Sequence, residues 1–203
     1  MKITIVYESM FGNTHEVAQA ISEGAREASP DADVECVAVG DASPELIKSI
    51  DLLVVGGPTH IRGMTSGFSR KMGISGEEKL EAQGEPAHEM EEDAEGPGVR
   101  EWFDGLPEVE DGGNAAAFDT RLPSRMAGGA ARGIARRLHK HGYHLVSEPE
   151  GFVLDDAYGP MRAGEIERAK EWGAQLVRAT VRPSGDDRRP PCRHFDLTYA
   201  SSS

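Results

Sequence analysis

Five segments of the chain are predicted to be strands; the first is rich in β-branched residues, and continuous apolar runs such as 51–57 are typical of strands buried on both faces of a sheet. These segments cover residues 2–7, 33–39, 51–57, 114–120 and 143–154. The last one contains Pro149 and Gly151, so we expect that strand to bend there.

Apolar residues recur every three or four positions between these segments, which predicts amphipathic helices. Asn13 is predicted to cap the first helix, with Glu16 in the capping-box position, and Pro30 ends it. The other predicted helices cover residues 43–50, 99–106, 126–142 and 163–181. Strands that alternate with helices predict an α/β domain whose parallel sheet is covered on both faces. Such sheets bind ligands beyond the carboxyl ends of their strands, so the loops after strands one, three and four are the candidate site.

The alternation lapses after the third strand, in a long polar stretch rich in Gly, Glu and Ser. A loop of this length within a compact domain is usually either functional or disordered. We expect residues 59–66 to be ordered and residues 76–97 to be mobile. The sequence thus predicts one domain over residues 1–181, with an acidic insertion at about 67–98 and a disordered C-terminal tail over 182–203.

The net charge of −13 is concentrated in one segment. Residues 77–95 hold nine acids and one lysine, a charge of −8. We interpret this segment as a solvated loop, with docking to a basic redox partner as the alternative; an acid-rich proteome would produce the same pattern. Negative charge repels nucleic acid and anionic membranes, so we expect neither as a partner.

The composition is that of a polar protein, with 38% hydrophobic and 28% charged residues. No run approaches the roughly 20 apolar residues that cross a membrane, and we expect a cytoplasmic protein. The two cysteines, Cys36 and Cys192, form neither a disulfide framework nor a metal cluster. We therefore expect both to be reduced and to have no direct role.

The first candidate loop, Glu8–Thr14, reads "ESMFGNT" and joins the first strand to the first helix. A helix N-terminus offers unpaired N–H groups and a partial positive charge, so it attracts phosphate. Ser9, Asn13 and Thr14 add polar side chains, and Gly12 lets the backbone fold around an anion. The loop contains no lysine or arginine, which suits a single monophosphate better than a triphosphate with magnesium. The nucleotide-binding patterns GxxxxGK[ST] and GxGxxG are both absent from it.

The segment "VYESMFGNT" followed by a helix resembles the FMN phosphate loop of flavodoxin-like proteins. The segments "VVGGPTH" after strand three and "FDTRLP…MAGGAARGIARRL" after strand four are also similar to the bacterial flavodoxin-domain family. The resemblance covers roughly residues 1–66 and 99–181. It implies a flavodoxin-like three-layer α/β/α sandwich with a five-stranded parallel sheet, and FMN as the cofactor.

The resemblance also implies which residues bind FMN. Residues of the first loop would bind the phosphate: Ser9, Met10, Phe11, Gly12, Asn13 and Thr14. Residues of the loop after strand three would flank one side of the flavin ring: Pro58, Thr59, His60, Ile61, Arg62 and Gly63. Residues of the loop after strand four would flank the other side: Asp119, Thr120, Arg121, Met126 and Gly128. Many flavodoxins stack a tryptophan and a tyrosine on the ring, whereas here neither of the two ring-flanking loops has an aromatic residue before Phe68. His60, Ile61, Arg62 or Met126 would then cover the ring, and Arg62 would raise its reduction potential.

The function that the resemblance implies is electron transfer by an FMN-binding protein, with a redox partner protein or a small-molecule electron acceptor as its partner. One alternative is an FMN-dependent oxidoreductase on the same fold, an NAD(P)H-dependent quinone or nitro-compound reductase in which the insertion forms a lid. Another is a binding module without flavin. No catalytic side chain and no metal ligand is predicted, and the sequence allows a monomer or a dimer.

Overall fold

The structure is a computed structural model. It describes residues 1–60, 63–65, 75, 82–83, 90–91, 94, 96–107, 112–123 and 129–181, and for His60 it describes the backbone only. The expectations for residues 76–97 and for the tail over 182–203 therefore lie almost entirely outside the described residues.

Seven strands and four helices make up the described part of the chain. The strands are β1 (Lys2–Tyr7), β2 (Asp33–Ala38), β3 (Leu52–His60), β4 (Gly63–Met64), β5 (Asn114–Arg121), β6 (His144–Leu145) and β7 (Glu150–Val153). The helices are α1 (Asn13–Ala28), α2 (Val99–Asp104), α3 (Ala130–Lys140) and α4 (Glu165–Val181).

The main sheet is parallel, with the strand order β2-β1-β3-β5-β6. β7 also pairs with β5 in parallel, but further along it: β6 pairs with Asn114 and Ala115, whereas β7 pairs with residues from Phe118 to Arg121. β6 and β7 are thus two halves of one interrupted fifth strand. The short β4 folds back antiparallel on the end of β3. This is the predicted five-stranded parallel sheet.

Each face of the sheet has its own apolar core. One core joins residues such as Ile3, Ile5 and Val54 to α1 and α4, and the other joins their neighbours Val6 and Val55 to α2 and α3. Alternate residues of a strand point to opposite faces, so the continuous apolar runs serve both cores. The result is the predicted three-layer α/β/α sandwich.

Helices α1 and α4 pack with their backbones in contact through two glycines. A Cβ atom on Gly24 would overlap the carbonyl oxygen of Lys170, and one on Gly173 would overlap the carbonyl oxygen of Ile21. Only glycine permits an approach this close. The C-terminal helix therefore fixes the position of α1, whose N-terminus adjoins the first candidate loop.

Several predicted elements differ from the structure. Residues 43–50 form turns rather than the predicted helix, with hydrogen bonds from Leu46 N to Ser43 O at 3.1 Å and from Lys48 N to Glu45 O at 3.4 Å. The segment is too short to repay helix nucleation by itself. Ser43 Oγ does accept a hydrogen bond from Leu46 N at 3.3 Å, as a cap would. The fifth strand is interrupted near Pro149, where we expected a bend.

Replacing Gly173 with alanine is expected to lower the free energy of unfolding by about 1–3 kcal/mol, because the new methyl group overlaps the α1 backbone. In an ordinary helix position the same change stabilises by up to about 1 kcal/mol, so the sign of the effect is diagnostic. Urea unfolding monitored by circular dichroism measures it. The exposed Gln175 of the same helix, changed to alanine, is the control and should be almost neutral. A stabilised Gly173→Ala variant would contradict the close approach.

Candidate functional site

The carboxyl ends of β1, β3 and β5 lie side by side at one edge of the sheet. Tyr7 pairs with Gly56, and Gly56 in turn pairs with Phe118. The three loops singled out from the sequence therefore leave the sheet at the same edge, between the two helical layers. This edge is the candidate functional site.

The first loop turns into α1 at Gly12, which has a φ of +82° and is the N-cap residue. Its carbonyl accepts the first helical hydrogen bond, from Glu16 N at 2.9 Å. The prediction that Asn13 caps the helix is therefore wrong, because Asn13 is already helical. Its side chain instead donates from Nδ2 to Tyr158 O at 3.1 Å, and it packs so closely on Gly159 that a side chain there would overlap it. Asn13 thus ties the loop to the segment that follows β7.

Ser9 carries the one polar atom of this loop that is buried without a hydrogen-bond partner among the described residues, its Oγ. The residue is 6% exposed, and neighbouring Met10 is 3% exposed. A buried hydroxyl without a partner costs about 1–3 kcal/mol and is therefore uncommon in native proteins. A left-handed glycine, a helix N-terminus and an unused hydroxyl together fit a bound phosphate group.

Thr14 connects the first loop to the third. Its Oγ1 lies 2.8 Å from Thr120 Oγ1, and both residues are 2% exposed. The two hydroxyls satisfy each other, so in this arrangement each has one fewer hydrogen bond to offer a ligand. Both residues lie at the predicted site.

Two predicted ring-side residues bind the N-terminus of α3 instead. Thr59 Oγ1 accepts from Ala130 N at 2.8 Å, and Asp119 Oδ2 accepts from Ala131 N at 2.8 Å. Helix N-termini need acceptors of this kind, and they favour a carboxylate. These side chains therefore hold α3 against the ends of β3 and β5.

Asp119 is fully buried, and burial raises the pKa of its carboxyl above the ordinary value, although the hydrogen bond from Ala131 and the charge of Arg121 oppose this. Arg121 Nε lies 2.8 Å from Asp119 Oδ1. The guanidinium lies against Gly129 and Gly151, where side chains would overlap Asp119 or Arg121. A positive group is thus fixed at the site edge by its own neighbours.

Sequence reasoning did not single out two acids that support the first loop: Glu8 within it and Glu91 beside it. Glu8 is 5% exposed, and its Oε2 accepts a hydrogen bond from Val99 N at 2.9 Å. This bond holds the N-terminus of α2 against the first loop. Glu91 donates its backbone N–H to Met10 O at 2.9 Å, and its Oε1 lies 2.8 Å from His15 Nδ1. Glu8 could have been found from the sequence, because it is a charged residue directly after a buried strand. Nothing distinguishes Glu91 from the other acids of its segment.

The remaining predicted residues fall in two groups. Phe11 makes an edge-to-face contact with Tyr158, with ring centroids 4.9 Å apart, and Gly63 pairs with His60 in the hairpin of β3 and β4. Pro58 is half-buried and pairs with Thr120. The predicted contacts of the following residues lie outside the described part of the chain: Ile61, Arg62, Met126, Gly128 and the His60 side chain.

Within the described ranges, no three His, Cys, Asp or Glu side chains are grouped as metal ligands would be. A search of the same residues for a helix of sufficient length and apolarity to cross a membrane finds none.

Replacing Thr14 with valine is expected to lower the free energy of unfolding by about 1–3 kcal/mol, because the Thr120 hydroxyl is left buried without a partner. Adding Thr120→Val should restore much of this loss, since two apolar groups of the same shape replace the pair. Urea unfolding of the two single variants and the double variant forms a double-mutant cycle. Strictly additive losses would contradict the hydroxyl pair.

Asp119 is expected to make stability depend on pH. Because burial raises its pKa in the folded state, the folded protein binds the proton more tightly than the unfolded chain does. Its favourable contribution is therefore complete below the ordinary pKa of about 4 and is lost as the pH rises through the raised value. The difference in unfolding free energy between wild type and Asp119→Asn should fall over this range and then level off. A difference that rises with pH would show that the ion pair with Arg121 outweighs burial.

Comparison with known proteins agrees with this architecture. The flavodoxin family model matches residues 5–96. No curated protein matches the chain significantly.

Three solved flavodoxins illustrate the similarity in structure. One from the domain Archaea is 18% identical, with a TM-score of 0.57 over 89% of this chain and 99% of its own. Flavodoxin 1 from Bacillus cereus is 17% identical, with a TM-score of 0.57 over 88% and 98%. A flavodoxin from Streptococcus pneumoniae is 16% identical, with a TM-score of 0.59 over 89% and 100%. The chain therefore has a flavodoxin-like fold across most of its length, and residues 5–96 match the flavodoxin family model.

Proposed function

We propose that this protein binds FMN through the loop between β1 and α1 and passes electrons to a partner. The observation that carries the proposal is the buried Ser9 hydroxyl, which has no hydrogen-bond partner among the described residues. Ser9 belongs to the same loop as the left-handed Gly12, which starts a 16-residue helix. A phosphate would accept hydrogen bonds from this hydroxyl and from the free N–H groups of the helix N-terminus.

The proposed phosphate loop holds no arginine or lysine, so its binding energy comes from neutral donors and the helix dipole. Such a site suits one phosphate group. The side chains of Asn13 and Thr14 hold the loop in position by hydrogen bonds with Tyr158 and Thr120. In this proposal they position the loop and do not contact the ligand.

The flavin ring would lie between the loops that follow β3 and β5, as the resemblance implies. In this proposal Thr59 and Asp119 act as positioning residues, because their side chains are occupied by the N-terminus of α3. The ring would then meet backbone groups of residues 57–60, with Thr120 and Arg121 at the opposite wall. When bound, FMN supplies the redox chemistry by accepting and releasing one or two electrons.

Electron transfer needs no nucleophile or general base, and several described side chains of this edge are already engaged in structural hydrogen bonds. Thr14 pairs with Thr120, Thr59 and Asp119 hold α3, and Glu8 holds α2. This favours a carrier, in which the protein positions the flavin and controls its access to a partner, over a reductase with catalytic side chains.

The Ser9→Ala variant tests the phosphate site. We expect it to stabilise the protein without ligand, by about 1 kcal/mol, because a buried unpaired hydroxyl is removed. We expect the same variant to bind FMN about tenfold more weakly, and to bind riboflavin, which lacks the phosphate, as wild type does. Flavin fluorescence quenching gives the affinities, and a 300–500 nm absorbance scan shows whether the flavin environment changes.

Ser22→Ala is a matched control, since this buried serine of α1 donates to Ala18 O at 3.0 Å and lies away from the loop. It should leave both affinities unchanged. If wild type fails to bind FMN, the proposed function is refuted. If wild type and Ser9→Ala bind FMN equally well, the phosphate does not lie at Ser9.

A further inference from the structure

Glu91 brings a carboxylate from the acidic insertion to the opening of the first loop. Its backbone N–H donates to Met10 O at 2.9 Å, which anchors the residue to the loop. A methyl group built on Gly12 would lie 3.7 Å from Glu91 Oε1. Glu91 and Ser9 also line the same small cleft.

The contacts around His15 hold the Glu91 carboxylate in place. Glu91 Oε1 lies 2.8 Å from His15 Nδ1, and Gln19 Nε2 lies 2.9 Å from His15 Nε2. The tautomer with its proton on Nδ1 fits both contacts, because its Nδ1 donates to Glu91 and its Nε2 accepts from the Gln19 amide. The ring is further held by stacking on Tyr7, with centroids 4.6 Å apart. In this tautomer the ring is neutral, and the negative charge of the network lies on the Glu91 carboxylate.

We propose that Glu91 is a specificity-determining residue that weakens binding of the flavin phosphate. This inference rests on the proposed function and deepens it. A phosphate bound to the N–H groups of the loop would lie within about 10 Å of the carboxylate, which is close to one Debye length at ordinary salt. The two negative charges repel each other there, and the loop has no lysine or arginine to offset them.

The repulsion acts on the phosphate and leaves the flavin ring untouched. FMN therefore binds less tightly than the donors of the loop would allow, whereas riboflavin is unaffected. Because such a loss of affinity makes the cofactor easier to release, Glu91 would keep the bound FMN exchangeable with free FMN.

The test compares wild type with Glu91→Gln, which removes the charge and keeps the size and the backbone hydrogen bond. FMN and riboflavin affinities are measured by fluorescence quenching at 20 mM and 500 mM salt. At low salt we expect Glu91→Gln to bind FMN at least about fivefold more tightly and riboflavin equally well. The gain should shrink at high salt.

Glu16→Gln is the matched control, because Glu16 is an exposed acid in the first turn of α1 and its charge is screened by solvent. It should change FMN affinity by less than about twofold. Thermal stabilisation by inorganic phosphate gives a readout without flavin, and it should be larger for Glu91→Gln than for wild type.

Equal FMN affinity in wild type and Glu91→Gln would overturn this inference and leave the proposed function standing. Weaker FMN binding by Glu91→Gln, or an equal change for riboflavin, would overturn it as well. If neither protein binds FMN, the proposed function itself fails. Phosphate stabilisation then decides the inference by itself: a larger effect in Glu91→Gln supports the charge repulsion, and an equal effect refutes it.

Discussion

Polar groups buried at the carboxyl edge of the sheet must find partners, and this requirement organises the structure around the candidate site. Thr14 meets Thr120, Thr59 and Asp119 meet the N-terminus of α3, and Glu8 meets the N-terminus of α2. Three of these four pairings join residues more than 70 positions apart in sequence. A buried group without a partner costs more than a typical hydrogen bond gains. The same pairings that stabilise the edge therefore position its loops.

Ser9 stands out against this background. Thr14, Thr59 and Glu8 on this edge have hydrogen-bond partners, whereas the buried Ser9 hydroxyl has none among the described residues. Such an exception has a cost in stability, and functional sites are where proteins commonly tolerate that cost. The opposite holds for Arg121, whose charge is balanced by Asp119 and whose position is fixed by Gly129 and Gly151. The Ser9 hydroxyl thus has an unused donor, whereas the Arg121 guanidinium is paired and enclosed.

The sequence predicted the layers of the fold well, because continuous apolar strands and amphipathic helices report directly on burial. The predicted first strand coincides with β1, and the edge that brings the three loops together follows from parallel strands. The helix over 43–50 was wrong since local capping signals do not outweigh the cost of nucleating so short a helix. The roles of Asn13, Thr59 and Asp119 depend on long-range partners, Tyr158 and the start of α3, that no local pattern indicates. Glu91 could not be singled out, because its importance depends on its position next to the first loop, which the sequence does not reveal.

The contact between α1 and α4 has a consequence for how the site comes into being. The family pattern ends at residue 96, yet the first loop contacts Val99, Thr120 and Tyr158, and α1 packs against Gly173 of α4. During synthesis on the ribosome, the candidate site therefore lacks part of its support until α4 has emerged. Residues 5–96 would therefore lack these contacts if they were transferred alone to another protein. The loop motif would be present there, but the residues that hold it in position would be missing.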